Sequence, residues 1–104
     1  MDIVGVTRNK ADQPIDIRFE VSFDNAPYVR TKPFHFSQKE IGKTKDGILF
    51  EIRVIPNFEL EREFLGYGET LKVIAPASLV RTFKRKSKKM FELYHSTLNQ
   101  STSR

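Results

Sequence analysis

The chain has 104 residues, no Cys and no Trp, is 38% hydrophobic with nine Phe and three Tyr, and carries a net charge of +5. That length allows one domain with one core, and so aromatic a composition excludes a generic disordered chain. Without Cys there is no disulfide scaffold, thiolate nucleophile or Cys-based zinc site, and two His leave little for a His-based metal site.

Residues 1–14, MDIVGVTRNKADQP, are mostly polar after a short Ile3–Val4 stub and read as a linker from an upstream module. From Ile15 the pattern alternates. Ile15, Ile17, Phe19, Val21 and Phe23 fall on one side, and Asp16, Arg18, Glu20 and Ser22 on the other, as in a half-buried antiparallel strand. A short helix follows, with Asp24 or Asn25 as N-cap and Pro27 in the first turn, and Pro33 limits its length. Phe34 to Ile41 reads as a weaker strand with Phe34 and Phe36 on one face. Lys45-Asp46-Gly47 is a hairpin signal, because Asp-Gly supplies positive-φ positions. Ile48, Phe50, Ile52 and Val54 then alternate through a stronger strand that Pro56 closes. Asn57 caps a second helix with Glu59 and Glu61 in its first turn, and Gly66 and Gly68 stop it. Glu69 to Pro76 is the last strand, with Leu71, Val73 and Ala75 inward. Ala77 to about Leu98 is a long amphipathic helix in which Leu79, Val80, Phe83, Met90, Phe91, Tyr94 and Leu98 keep the helical period. Residues 99–104 read as a disordered tail.

Strand, helix, strand, strand, helix, strand is the order of an α+β, ferredoxin-like βαββαβ antiparallel sheet, here with an additional C-terminal helix. The domain is expected to span residues 15–98. No apolar run reaches membrane-spanning length and no signal-peptide pattern opens the chain, so a cytoplasmic domain without membrane contact is expected.

Catalysis is not expected. There is no glycine-rich phosphate loop and no Ser in a nucleophile-elbow context; His35 has no obvious carboxylate neighbour in sequence, and His95, near the frayed end, reads as solvated. Glu59, Glu61 and Glu63 read as the acidic turn and exposed face of a helix rather than as an acid–base cluster. No catalytic residue, metal site or cofactor is predicted. Base stacking on the sheet, as in the RNA recognition motif, is disfavoured too, because the outward residues of the central strands are Asp16, Arg18, Glu20, Leu49, Glu51 and Arg53, none aromatic. The charge surplus is local: Arg81, Lys84, Arg85, Lys86, Lys88 and Lys89 place six cations in nine residues, and without them the chain holds 12 basic against 13 acidic residues. On a helix, Arg81, Lys84, Arg85, Lys88 and Lys89 lie opposite the apolar stripe, either as a solvated face or as a stripe for phosphates or a partner.

The stretch Ala26 to Gln38, APYVRTKPFHFSQ, resembles the C-terminal extension, often called WCX, of bacterial WYL-domain transcriptional regulators. The later hairpin and strand (Gly47 to Pro56), short helix (Asn57 to Gly68), Val73 to Pro76 and Glu92-Leu93-Tyr94 are similar at the level of pattern. Ile3-Val4-Gly5-Val6 looks like the end of the linker after a WYL module. The resemblance implies a non-enzymatic regulatory and dimerisation domain that couples ligand sensing to DNA binding. A helix-turn-helix would read the DNA and a WYL module would bind the ligand, and both are missing from this chain, so their functional residues have no counterparts here. The partners it implies are a second copy, DNA through the missing module, and a single-stranded nucleic-acid ligand in some members. Arg30, Lys32 and His35, polar groups between elements, are candidate contact residues alongside the basic helix. The alternative is direct binding of a single-stranded nucleic-acid backbone by Arg81, Lys84, Arg85, Lys88 and Lys89, with help from Arg30 and Lys32.

Overall fold

The computed structural model describes residues 13–102, so residues 1–12 of the linker expected at 1–14, and the last two residues, lie outside it. The alternation from Ile15 becomes β1 (Ile15–Ser22), followed by α1 (Ala26–Thr31), β2 (Lys39–Lys43), β3 (Gly47–Val54), α2 (Phe58–Gly66), a single 3₁₀ turn (Gly68–Thr70), β4 (Leu71–Ala75) and α3 (Ala77–Thr102). The class is α+β, as the pattern predicts. Its four strands form one antiparallel sheet in the order β2-β3-β1-β4.

Register decides which side of the sheet is dry. β1 pairs β3 from Ile15 opposite Val54 to Ser22 opposite Gly47, which lines up Ile17, Phe19 and Val21 with Ile52, Phe50 and Ile48 on one face. All six are buried, together with Ala26 and Val29 of α1, Phe64 of α2, Val73 of β4 and Leu79 of α3. Each such large side chain contributes about 1.5–3 kcal/mol through burial. Phe19 sits at the centre, with its ring centroid 5.6 Å from Phe50, 5.0 Å from Phe64 and 5.4 Å from Phe34.

The opposite face carries cross-strand ion pairs, as expected for polar residues facing water. Arg53 Nη1 meets Asp16 Oδ1 at 3.0 Å, Arg18 Nε meets Glu51 Oε2 at 2.9 Å, and Lys39 reaches the other Glu51 oxygen at 3.5 Å. Each is worth a few tenths of a kcal/mol to about 1 kcal/mol, so they set register more than stability.

The second strand differs from its sequence reading. It begins at Lys39, and residues 34–38 form a loop in which Phe34 and Phe36 part company. Phe34 packs edge-on against Phe64 at 4.7 Å, whereas Phe36 is 93% exposed. The loop is held by side chains in place of a strand ladder: Gln38 Oε1 accepts from the Phe34 amide at 2.9 Å and its Nε2 donates to the Val29 carbonyl at 3.0 Å. β2 is also bulged between Glu40 and Gly42, and every residue in it is exposed.

The turn before β3 forms where expected, but for another reason. Among the described residues only Gly68 has a positive φ, at 63°, so the Asp46-Gly47 pair adopts no left-handed conformation. Thr44 organises the turn instead, its Oγ1 accepting from the Asp46 and Gly47 amides at 3.1 and 3.0 Å. Gly47 is required by close approach, since a Cβ there would fall on the Val21 carbonyl. Asn57 caps α2 as predicted, its Oδ1 accepting from the Leu60 amide at 2.8 Å. At the far end α3 continues past Leu98 to Thr102, because no Gly or Pro interrupts it and each added residue gains a backbone hydrogen bond.

Gly47→Ala is expected to destabilise the domain by about 1–3 kcal/mol, the range for an overpacked interior site. Gly42→Ala has room, with Leu49 Cδ1 3.6 Å from the new Cβ, and stays within about 1 kcal/mol of the parent. Urea midpoints of the two variants check the contrast.

Candidate functional site

Pro76 opens α3, its carbonyl accepting from the Leu79 and Val80 amides at 3.0 Å each. The first part of the helix belongs to the core: Leu79 is buried, Val80 and Phe83 pack against the cluster, and the Phe83 ring lies 6.0 Å from Phe64. Lys86 ends this packed section by joining α3 to α2, with Nζ 2.7 Å from Glu61 Oε1 and 5.3 Å from the Phe58 ring centroid. From Ser87 to His95 every residue is exposed. The apolar stripe read from the helical period is therefore divided. Its distal members Met90, Phe91 and Tyr94 are 41%, 66% and 67% exposed, because the sheet ends beneath the first part of the helix and no described residue covers the rest.

Arg81, Lys84, Arg85, Lys88 and Lys89 are all exposed on α3, and at about 100° per residue they share one side of it. Among the described residues none of the five forms an ion pair. Among the described residues, no hydrogen bond or ion pair brings Arg30, Lys32 or His35 to this helix. Arg30 is engaged at the end of α1, where Nε and Nη2 reach the two Glu40 oxygens at 2.7 and 3.2 Å. These hydrogen bonds hold the Glu40 carboxyl below its ordinary range and raise the guanidinium pKa further. Lys32 is exposed after α1 and lines a recess of about 510 Å³ with Tyr28, Thr31 and Tyr67.

His35 braces its loop. Its Nδ1 lies 2.8 Å from Ser37 Oγ and 3.1 Å from the Ser37 amide nitrogen, contacts whose donor is set by the imidazole tautomer. Ser37 Oγ in turn accepts from the Arg53 amide at 2.8 Å and donates to the Arg53 carbonyl at 3.2 Å, extending the contact between this loop and β3. Phe36 stacks on the outer side of the imidazole at 4.2 Å.

Sequence reasoning missed a cleft of about 500 Å³ between this loop, the end of β3 and α2. Phe34, Ile55 and Leu60 give it an apolar wall, and Glu59 and Glu63 stand on it from α2. Arg53 also lines it, but its guanidinium is paired with Asp16. The available signal was the spacing of Glu59 and Glu63, which puts both carboxylates on one side of α2 next to Leu60.

Residues 13–91 match the family model of the WCX domain. No curated protein matches the chain. Among the described residues no helix is long and apolar enough to cross a membrane.

The Arg30–Glu40 pair gives a pH test. A carboxyl with a depressed folded pKa contributes stability above its unfolded pKa and loses it as pH falls through the folded value. Carboxyl carbon NMR is expected to show Glu40 titrating below the ordinary glutamate range, and Arg30→Gln to move that midpoint up into it.

Proposed function

Because the chain belongs to the WCX domain family, we propose that it is the non-enzymatic regulatory domain of a WYL-type transcriptional regulator, which associates with a second copy and relays ligand sensing to DNA binding. In this reading a WYL module senses the ligand and a helix-turn-helix reads the DNA, both outside this chain, and the regulator works in the cytoplasm. The arrangement is ferredoxin-like, a reading supported by β1 and β3 lying at the centre of the sheet with β4 beside β1 and β2 beside β3. Support also comes from the single core shared by the sheet and all three helices.

Self-association rests on the distal half of α3. Met90, Phe91 and Tyr94 present apolar surface on a helix that has left the body of its own domain, and an apolar patch of that kind is a usual mark of a protein interface. Sedimentation of the chain across the micromolar range is expected to show dimers forming with concentration. A strict monomer throughout would overturn the role.

The exposed cations of α3 favour a second reading, the binding of single-stranded nucleic acid through its backbone. Five contacts from Arg81, Lys84, Arg85, Lys88 and Lys89 predict a slope of log affinity against log salt of about −3.5, from about −0.7 per neutralised phosphate on a single strand. Oligonucleotide titration at low and high salt measures the slope. Unchanged affinity after Arg85→Glu, Lys88→Glu and Lys89→Glu together would exclude this reading.

A further inference from the structure

The distal half of α3 and the cleft beside α2 are complementary, yet they do not meet within one chain, where Met90, Phe91 and Tyr94 remain exposed. We propose that the cleft of one protomer receives the distal half of α3 from a second copy, and that the exchange is reciprocal, forming a two-fold dimer. The inference rests on the self-association reading above and names the surfaces that would meet.

Reach is sufficient. From Ser87 to Thr102 the helix runs about 24 Å at about 1.5 Å per residue. On that length Met90, Tyr94 and Phe91 fall within an arc of about 100°, with Lys88 about 60° past Phe91 and the apolar Leu93 about 60° past Met90. The projecting segment is thus an apolar stripe with a basic border on its Phe91 side. The cleft is its counterpart: an apolar wall of Phe34, Ile55 and Leu60, with Glu59 and Glu63 along α2. Among the described residues neither carboxylate has an ion pair of its own, while the lining Arg53 is already neutralised by Asp16 at 3.0 Å. A volume of about 500 Å³ admits an aromatic side chain from an incoming helix, the helix-in-groove mode of recognition.

Charge selects this arrangement over direct pairing of two α3 helices. Packing the stripes of two copies against each other would bring their lysine borders together, and like charges facing across an interface are costly. Docking into the cleft instead sets Lys88, on the Phe91 border of the stripe, against Glu59 and Glu63. A two-fold axis fills both clefts and leaves neither apolar stripe in water, so the assembly closes at two.

Sedimentation of the full chain and its variants tests the proposal. Phe91→Glu with Tyr94→Glu, and separately Glu59→Lys with Glu63→Lys, are each expected to weaken the dimer about thirtyfold or more, as for loss of central interface anchors. Mixing the two variants is expected to produce a heterodimer, because one intact helix then meets one intact cleft. Melting temperatures report whether each variant folds. Should the cleft variant unfold, Lys88→Glu alone is expected to weaken the dimer with the cleft left intact, and a dimer unchanged by it would overturn the proposal. A parent chain that never dimerises overturns both this proposal and self-association. A parent dimer that survives the Glu59→Lys, Glu63→Lys change overturns the cleft alone. A parent that binds vesicles of phosphatidylcholine and phosphatidylserine through Phe91 and Tyr94, and no second copy, overturns the proposal in favour of a lipid surface.

Discussion

Phe19 faces Phe50 across the β1–β3 register and meets Phe64 from α2 and Phe34 from the loop before β2. Through these rings the sheet, a helix and an irregular segment share one buried cluster. Aromatic pairs at such separations add about 0.5–1.5 kcal/mol each beyond the area they bury, and they also fix direction. An edge-on Phe34 ring at 4.7 Å from Phe64 holds the loop against α2, and the cleft exists because that loop, β3 and α2 are held just far enough apart. The core and the candidate surface are in this sense one construction.

Much of the fold was legible because β1 and β3 are strictly two-periodic and each sits between strong punctuation. The N-cap at Asn57 and the helix start after Pro76 were legible for similar local reasons. What failed were inferences that extended a local pattern past its physical warrant. Phe34 and Phe36 share a parity that a strand would respect, but Gln38 holds the segment out of the ladder, so one ring is buried and the other stands in water. Asp46-Gly47 has the composition of a left-handed turn, yet the turn is built on the Thr44 hydroxyl and the glycine serves the Val21 carbonyl.

The candidate site was legible in part. The cationic side of α3 follows from spacing alone. That Arg30 would be held by Glu40, or His35 by Ser37, depends on where β2 and its loop lie, and no helical or strand period carries that information. Periodicity also shows that a helix has an apolar stripe without showing how far a domain extends beneath it. Lys86 marks the limit: on one side the stripe meets the core, and on the other it meets solvent.

The bulge in β2 limits how this domain can grow. An edge strand that is straight and apolar templates further strands, whereas this one is kinked between Glu40 and Gly42 and carries Lys39 and Lys43 at its ends. Such an edge is a poor acceptor for a neighbour's backbone. Lateral propagation of the sheet from this side, the route by which small β-rich domains pass into fibres, is therefore obstructed by covalent sequence, and the protein can keep aromatic surface exposed on a helix with less danger of open-ended polymerisation.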